Sequence, residues 1–553
     1  MKKIITSAFL LMAAAIHLHA QPAPVKNAAK AVFSLTTFRA DGSILESSHG
    51  VFIDNNGTAI ADWASFVGAD HAVVIDATGK KMDVEYLIGA DEIYDVAKFH
   101  VNGKTTAATL ATTPTAAGSP IYLVGYAVRQ PEIITAKVKN VETFMDQYPY
   151  YIMDMQVPDN TKSCPFVNEK GQVVGLYQQT KTYEIHATSA QYPTSFTATG
   201  VSANDPVLRL SSIPTAIADD LDQAIIGLML TSQTADSAKY ARTVSQFIDK
   251  FPNASEGYTS RAQFYVNHNN FEAADRDLQT CLQKAENKDD AHFTYARLMY
   301  QKEIYKKDIP YESWTLDRAL QEAQTAYEIN PLSLYKHLQA QILYTKAEFQ
   351  QAYDLLMSIT DSDRLKPELL YEAAQCKTML QAPKEETLAL LDSAVACFSK
   401  PYTIDAAPYF LARANLRDEM GEYRKAITDY NQYDSLMVGR LGVDFFYQRE
   451  QCEVKGRQFQ QALNDIELCT QLEPREPLYF AEKASLQLRV NMKKEALATA
   501  EQCIALDPDN ADGYLIKGIA EVQLGNKKAG MVSLNKAKEL GHEQAQTIID
   551  KYK

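Results

Sequence analysis

The sequence predicts a multidomain protein in which an all-β amino-terminal part precedes an all-α array of repeated helix pairs. Three observations support this prediction. From Ala31 to about Leu210, short runs of β-branched and aromatic residues alternate with turn signals. After Ile213-Pro214, the chain becomes rich in Ala, Leu, Gln, Glu and Tyr and contains long helical stretches. Within that helical part, characteristic residues recur every 34 positions, which indicates a structural repeat.

The composition is that of a soluble globular protein. The chain has 553 residues, of which 46% are apolar and 22% charged, and this mix excludes a largely disordered, collagen-like or polytopic membrane protein. The net charge is −14 and the pI is near 5.3. Phosphate binding needs clustered Lys and Arg, and the sequence contains no such cluster, so no nucleic-acid partner is expected. Length alone predicts three or four domains of about 150 residues, unless a repeat array accounts for the excess.

The first 20 residues are expected to be a secretory signal peptide, with residues 21–30 as a linker. Lys2 and Lys3 supply positive charge, residues 4–16 are largely apolar, and Ala20-Gln21 offers a small residue at a cleavage point. The apolar run is shorter than the roughly 20 residues that span a bilayer, which favours a cleaved signal peptide. The alternative interpretation of these residues is a short membrane anchor. We therefore expect an exported protein of the bacterial envelope, either periplasmic or secreted, with no membrane span.

The amino-terminal part, taken as residues 31–213, contains many short predicted strands. Turn signals such as Asn102-Gly103 separate them. Four of these strands are residues 51–53, 72–75, 121–124 and 173–176. Short strands at this spacing predict either a sandwich or a pair of barrels.

Six landmarks in this part, in the correct order, resemble the trypsin-fold serine proteases of the HtrA type. They are residues 50–54 with Gly57, residues 61–66, residues 79–91, Asp95-Val96-Ala97, residues 118–125, and residues 165–168 with Gly171, Val174 and Gly175. The resemblance covers about 160 residues and implies a trypsin-like double β-barrel. Proteases of this type usually continue into peptide-binding PDZ domains, whereas here the repeat array follows directly.

The resemblance also places the catalytic triad, and the chain departs from it. Ala64 stands where the family has its histidine, and a methyl group cannot accept a proton. Asp95 occupies the carboxylate position. In the nucleophile loop, Lys162 or Ser163 takes the serine position depending on the alignment, and the glycines that shape the oxyanion loop are absent. Cys164 is a possible substitute nucleophile, but it would need a base and a lowered pKa.

Four histidines of this part are candidate replacement bases. His71 and His100 lie beside strand-like runs, where a hydrogen-bonded structural role is the simplest interpretation. His49 carries no specific indication. His186 is expected in a polar loop over residues 182–189, from which it could turn inward. The enzyme question stays open but leans towards no activity, with no catalytic residue, cofactor or metal expected.

The helical part resembles the tetratricopeptide repeat. Ala462, Ala496 and Gly530 are 34 residues apart, and a proline closes several units. The family has an aromatic or large residue at position 4, small residues at positions 8, 20 and 27, and Pro at 32. We expect about nine units over residues 219–543, with extra residues around 303–313, a degenerate unit near 367–402, and a capping helix over 544–553. Such an array forms a superhelix.

The repeat also accounts for several cysteines. Cys281, Cys469 and Cys503 fall at position 27, where a thiol replaces alanine in a tight helix crossing. No C-x-x-C motif occurs, and no histidine has metal-ligand spacing to a cysteine. A bridge between Cys452 and Cys469 remains open at this point.

Two functions are compatible with these features. The first is an exported, non-catalytic scaffold that binds a protein or peptide in the repeat groove, with a pseudoprotease module beside it. The second is an atypical serine or cysteine endopeptidase whose repeats recruit its substrate, because Asp95, Ser163 and Cys164 keep some of the chemistry. The identity of the partner and the oligomeric state cannot be derived from the sequence.

Overall fold

The structure, a computed structural model, describes residues 21–178, 184–234, 236–359 and 366–553. The predicted signal peptide lies outside the described residues and stays a prediction. The chain is divided into two compact units between Leu298 and Met299. None of the helices in the described residues is both long and apolar enough to cross a membrane.

The first unit opens with a short helix, α1 (Ala23–Ala28), and continues with β-structure. The described strands are β1 (Val32–Phe38), β2 (Ile44–Phe52), β3 (Thr58–Ala61), β4 (His71–Ile75), β5 (Lys81–Asp91), β6 (Val96–Val101), β7 (Thr109–Leu110), β8 (Pro120–Val124), β9 (Ile133–Phe144), β10 (Tyr148–Asp154), β11 (Pro165–Val167), β12 (Gln172–Gln178) and β13 (Ile185–Ser189).

These strands form two closed antiparallel barrels of six strands each. The first has the order β1-β2-β3-β6-β5-β4, and the pairing of β1 with β4 closes it. The second has the order β11-β8-β9-β10-β13-β12, closed between β11 and β12, with β7 added in parallel on β12. Closure leaves no free edge in either barrel. Of the two architectures that the strand spacing allowed, the pair of barrels is therefore the one adopted.

Aromatic side chains fill the first barrel. Phe33 lies against Phe52 and Phe99, with ring centroids 4.6 and 5.9 Å away. Gly50 passes directly over this cluster, and a Cβ there would come within 2.4 Å of the Phe33 ring and of the Ile60 carbonyl oxygen. The glycine that begins the protease-like opening segment is thus required by close packing of strand against ring.

Nineteen helices follow in the described residues. They are α2 (Leu221–Thr234), α3 (Ser237–Lys250), α4 (Ser255–Asn267), α5 (Phe271–Lys284), α6 (Lys288–Tyr305), α7 (Leu316–Ile329), α8 (Ser333–Thr345), α9 (Phe349–Met357), α10 (Lys366–Met379), α11 (Lys384–Ala396), α12 (Ala407–Glu419), α13 (Tyr423–Leu436), α14 (Val443–Lys455), α15 (Phe459–Leu472), α16 (Pro477–Arg489), α17 (Lys493–Leu506), α18 (Ala511–Gln523), α19 (Lys527–Glu539) and α20 (Ala545–Tyr552). The predicted barrel-then-helix fold class is confirmed.

The first helices of the array pack on the barrels within the first unit. Lys239 and Arg242, both on α3, donate to the carbonyl oxygens of Ser211 and Ser212, at 2.7 and 2.8 Å. The side-chain amide of Gln246 donates to a carbonyl oxygen of β5 at 2.9 Å. These bonds join α3 to the barrel part of the chain, in keeping with a first compact unit that extends to Leu298.

The repeat is visible in the helix boundaries of the second unit. Helices α14, α16 and α18 begin 34 residues apart, and so do α15, α17 and α19. Where α18 crosses α19, a Cβ on Gly530 would lie 2.4 Å from Val522 Cγ2 and 2.8 Å from the Gly518 carbonyl oxygen. Small residues recur because the two helices approach too closely for anything larger.

A set of buried Arg–Asp pairs also follows the repeat. Arg413 forms two hydrogen bonds with the Asp429 carboxylate, and Arg449 forms two with the Asp465 carboxylate, of 2.6 and 2.8 Å. In the first unit, Arg261 donates the same pair of hydrogen bonds to the Asp277 carboxylate, each of 2.7 Å. In each case the arginine lies 16 residues before the aspartate and joins the first helix of a pair to the second. The repeat pattern of the sequence did not predict these pairs.

All seven cysteines lie in the described residues and are free thiols. Cys281, Cys469 and Cys503 are fully buried, in keeping with their small-residue position. Cys452 and Cys469 are not joined: the Cys452 thiol faces the Tyr423 carbonyl oxygen at 3.8 Å, and the Cys469 thiol faces that of Val443 at 3.9 Å. The bridge that the sequence left open is therefore absent from the structure.

Candidate functional site

The five residues singled out by the protease resemblance come from loops of both barrels. Ala64 begins a short 3-10 helix after β3, and Asp95 directly precedes β6. Lys162, Ser163 and Cys164 directly precede β11 of the second barrel. The structure brings the two loops together, because the backbone N–H of Asp62 donates to Ser163 Oγ at 2.9 Å.

Asp95 is engaged by backbone rather than by an imidazole. Its Oδ1 accepts a hydrogen bond from the Ala64 N–H at 2.7 Å, and its φ of 46° places it in the left-handed region. Burial, and after it the negative charge of Asp62, raises the pKa of Asp95. The carboxylate thus lies beside the position of the missing histidine and caps the turn that begins at Ala64.

Ser163 is placed as a structural residue. Its side chain is fully buried, and its φ is 62°. Its Oγ accepts from Asp62, and its own N–H donates to the Tyr177 carbonyl oxygen at 3.2 Å. Among the described residues, no imidazole forms a hydrogen bond with Ser163. A hydroxyl held in this way has neither the exposure nor the base that nucleophilic attack requires.

Lys162 is held in an ion pair. Its Nζ lies 3.2 Å from Asp62 Oδ2 and 3.8 Å from Glu46 Oε2. Burial by itself would lower the pKa of Lys162, but the charge and hydrogen bond of Asp62, together with Glu46, raise it above its usual range. The side chain therefore remains an ammonium and cannot replace the missing imidazole as a base.

Cys164 belongs to the core of the second barrel. Its side chain is fully buried among Ile121, Phe166 and Val174. Burial raises the pKa of this thiol to about 12. Because the thiolate is the nucleophilic form, the substitute role that the sequence allowed for Cys164 has no support in this geometry.

Asp62, which the sequence analysis did not single out, is the centre of the site. Its Oδ2 accepts from the Ser65 N–H at 3.0 Å and from the Ser65 hydroxyl at 2.6 Å, and it also pairs with Lys162. Its Oδ1 is buried and has no hydrogen-bond partner among the described residues. In the protease resemblance, the segment 61–66 supplies only the histidine position, so the acidic residue two places before Ala64 carries no separate signal.

The four histidines of the barrels have structural surroundings. His49 Nδ1 lies 3.1 Å from the Lys162 carbonyl oxygen, and burial lowers the pKa of its ring. His71 stacks on a phenylalanine and pairs with Asp70 at 3.1 Å. His100 lies 3.1 Å from Glu85 Oε2. The loop expected around His186 is wrong, because this residue lies in β13, whose pairing with β10 and β12 fixes it in the barrel wall.

One of the described cavities lies elsewhere in the first unit. It has a volume of about 600 Å³ and opens between β5, the segment around Phe196 and helix α3, with Lys98, Asp219 and Lys250 among its lining residues. None of the triad positions lines it. This cavity is therefore separate from the protease-like site.

The second unit contains a side-chain group that the sequence analysis missed. His337 on α8 and Glu368 and Glu372 on α10 each offer one ligand atom, and these atoms lie within 4.8 Å of one another. The sequence predicts no metal site, because none of its histidines has metal-ligand spacing to a cysteine. The available signal was the pair of glutamates four residues apart, with a histidine about one repeat earlier.

Comparisons with known proteins give only partial matches. The chain matches no known protein-family model. Over 81 residues, 15% of its length, it is 32% identical to "DnaJ homolog subfamily C member 7" of Homo sapiens, and equally to the Mus musculus protein of that name. Over 118 residues, 21% of its length, it is 27% identical to "U-box domain-containing protein 70" of Oryza sativa. The chain spans only 16% and 14% of the length of these relatives.

Proposed function

We propose that this protein is an exported, non-catalytic scaffold in which a trypsin-like pseudoprotease module precedes tetratricopeptide repeats that dock a protein or peptide. One observation carries the proposal: the Ser163 side chain is fully buried, and its Oγ is occupied by the backbone N–H of Asp62. A serine nucleophile needs the opposite arrangement, with an accessible hydroxyl whose proton passes to an imidazole.

The alternative, an atypical endopeptidase, has no base to use. Ala64 offers a methyl group, and Lys162 is held as an ammonium by Asp62. The Cys164 thiol is buried with a pKa of about 12. Loss of one triad member lowers kcat by several orders of magnitude, and here the base is missing and both candidate nucleophiles are buried.

Activity-based labelling distinguishes these two functions. The full chain would be treated with a fluorophosphonate probe and, separately, with a thiol-directed peptide probe, beside an active trypsin-like protease as positive control. We expect no label on Ser163 or Cys164 and no cleavage of a peptide library. Labelling that disappears in Ser163→Ala or Cys164→Ala would contradict the pseudoprotease assignment.

Acidic side chains on the repeat array indicate the chemistry of the partner. Glu482, which is half-buried, and Asp512, which is exposed, lie on α16 and α18, the first helices of two successive pairs. Burial, and after it the charge of Asp512, raises the pKa of Glu482. Acid groups that oppose one another's ionisation favour a positively charged neighbour. We therefore propose that the docked segment carries Lys or Arg.

Peptide binding to the full chain tests the docking proposal. We expect a Lys/Arg-rich peptide to bind, in a salt-sensitive way, more tightly than a Glu-rich peptide of equal length. The double variant Glu482→Gln/Asp512→Asn should weaken that binding. Glu501→Gln is the matched control, since Glu501 lies on α17 and pairs with Lys517 at 3.0 Å. Equal binding of both peptides, or no effect of the double variant, would refute the basic-partner assignment.

Export rests on the amino-terminal sequence alone and has its own test. If residues 1–20 are a signal peptide, the protein recovered from the cell envelope or medium should begin at Gln21. Amino-terminal sequencing or intact mass measurement gives the answer directly. A protein that retains Met1 and stays in the cytoplasm would contradict the proposal.

A further inference from the structure

We propose that His337, Glu368 and Glu372 form a binding site for a divalent transition-metal ion of the Zn²⁺ type on the repeat array. The two glutamates are four residues apart on α10, so their side chains share one face of the helix. His337 reaches the same place from α8. One ligand atom from each residue lies within 4.8 Å of the other two.

The donor set suits this class of ion. Zn²⁺ binds imidazole nitrogen and carboxylate oxygen at about 2.0–2.2 Å, and a site with three protein ligands leaves one position for water or another donor. Tetrahedral ligands at that bond length are about 3.4 Å apart. His337 Nε2 and Glu372 Oε2 are 2.5 Å apart and would separate slightly to admit the ion. Glu368 is exposed, so its carboxylate is free to rotate inward.

The surroundings hold two of the three ligands in position. The His337 side chain is only 6% exposed, which restricts its ring. Gln341, one turn further along α8, donates from Nε2 to Glu372 Oε1 at 2.8 Å. This bond orients the carboxylate and leaves its Oε2 facing the imidazole. A hydrogen bond of this kind to a metal-ligating carboxylate is a common supporting contact.

A second histidine–carboxylate pair of the same unit provides the comparison. His542 Nε2 lies 2.9 Å from Asp512 Oδ1. Among the described residues, the cluster of three side chains that could hold a metal ion contains His337 and does not contain His542. If a simple ion pair explained the His337 cluster, the two pairs should behave alike towards metal. The additional carboxylate of Glu368 is what distinguishes a chelating site from an ion pair.

Metal titration of the full chain tests the proposal. The protein would be stripped with a chelator and titrated with Co²⁺, followed by its visible absorption, and then with Zn²⁺ in competition. We expect one saturable Co²⁺ site per chain at pH 7.5, from which Zn²⁺ displaces Co²⁺ because it binds N/O ligands more tightly. Glu368→Gln should weaken binding about 100-fold, Gln341→Ala about 10-fold, and His542→Ala should leave it unchanged.

Glu368→Gln is the decisive variant, because this residue is exposed and its replacement leaves the helix packing intact. His337→Ala should abolish the Co²⁺ spectrum, with circular dichroism as the check that the array is folded. Absence of saturable binding up to about 1 mM would overturn the proposal. Binding that survives both Glu368→Gln and His337→Ala would overturn it equally, since the ion would then be held elsewhere. Neither outcome depends on whether the barrels are catalytic.

Discussion

Replacing Glu450 by glutamine is expected to stabilise α14 and α15 at pH 8 and to change them little at pH 5. The 34-residue repeat places Glu450 where the next two units have Ala484 and Gly518. Its side chain is fully buried, Oε2 accepts from Gln451 at 2.6 Å, and Oε1 has no partner among the described residues. A carboxylate therefore lies at a helix crossing that elsewhere takes a small residue.

The size of the effect follows from the pKa of Glu450. Burial, and after it the charge of Glu482, raises this pKa from 4.5 to about 7. Between these values the folded chain keeps a proton that the unfolded chain releases, so stability falls as the pH rises through that window. Well above pH 7, the free energy of unfolding is about 3 kcal/mol lower than it would be if the pKa of Glu450 were unshifted. Glutamine has the same shape as glutamate and does not ionise. The substitution should therefore raise the free energy of unfolding by about 3 kcal/mol at pH 8 and by under about 1 kcal/mol at pH 5.

Hydrogen exchange measures this change in the full chain. Peptides from α14 and α15 of Glu450→Gln and wild type would be compared at each pH, so that the intrinsic effect of pH on exchange cancels. We expect about 100-fold slower exchange in the variant at pH 8. Glu473→Gln, at an exposed position after α15, is the control and should leave exchange unchanged. A gain of equal size at both pH values would refute the reasoning, because the benefit would not come from removing a charge.

Three further changes test other parts of the structure. Gly530→Ala should lower the stability of the last helix pairs by about 1–3 kcal/mol, measured as a lower midpoint in thermal unfolding, because the added methyl group overpacks the α18–α19 crossing. Ala64→His should not confer fluorophosphonate labelling, because Ser163 remains buried; labelling at a measurable rate would show that the imidazole alone was missing. In the native protein at pH 8, iodoacetamide should modify exposed Cys397 and spare buried Cys164, as peptide mass spectrometry would show; equal modification would contradict the burial described for Cys164.

The barrel-then-helix class could be predicted because it depends on local patterns. Glycine-containing turns and short β-branched runs define strands along the sequence, and the recurrence of Ala462, Ala496 and Gly530 defines the helix pairs. His186 shows where local patterns fail. Its segment contains polar residues and predicted a loop, but pairing on both sides with β10 and β12 makes it a strand. Partners that are distant in sequence supply this stabilisation, and a single sequence does not reveal them.

The polar contacts between helices of the array were equally hidden from the sequence. Arg449 and Asp465 are 16 residues apart and meet only because two helices pack side by side. His337 and Glu372 are separated by slightly more than one repeat, and neither falls in a short motif. Both sets could be found by aligning the units and asking which polar residues occupy neighbouring positions in three dimensions. That step needs the packing geometry of the array.

Under the proposed function, the positions that the protease resemblance assigns to a catalytic triad have structural roles. In a working triad, the carboxylate orients an imidazole, and the imidazole polarises an accessible serine. Here Asp62 binds both barrels together: its carboxylate pairs with Lys162, and its N–H donates to Ser163, so two residues of the nucleophile loop contact one residue of the histidine segment. Asp95 caps the turn at Ala64 in place of an imidazole. Asp62, Asp95, Lys162 and Ser163 are therefore each engaged by a backbone group or an opposite charge. If the proposed function is right, catalysis at this site would require several of these contacts to be broken together.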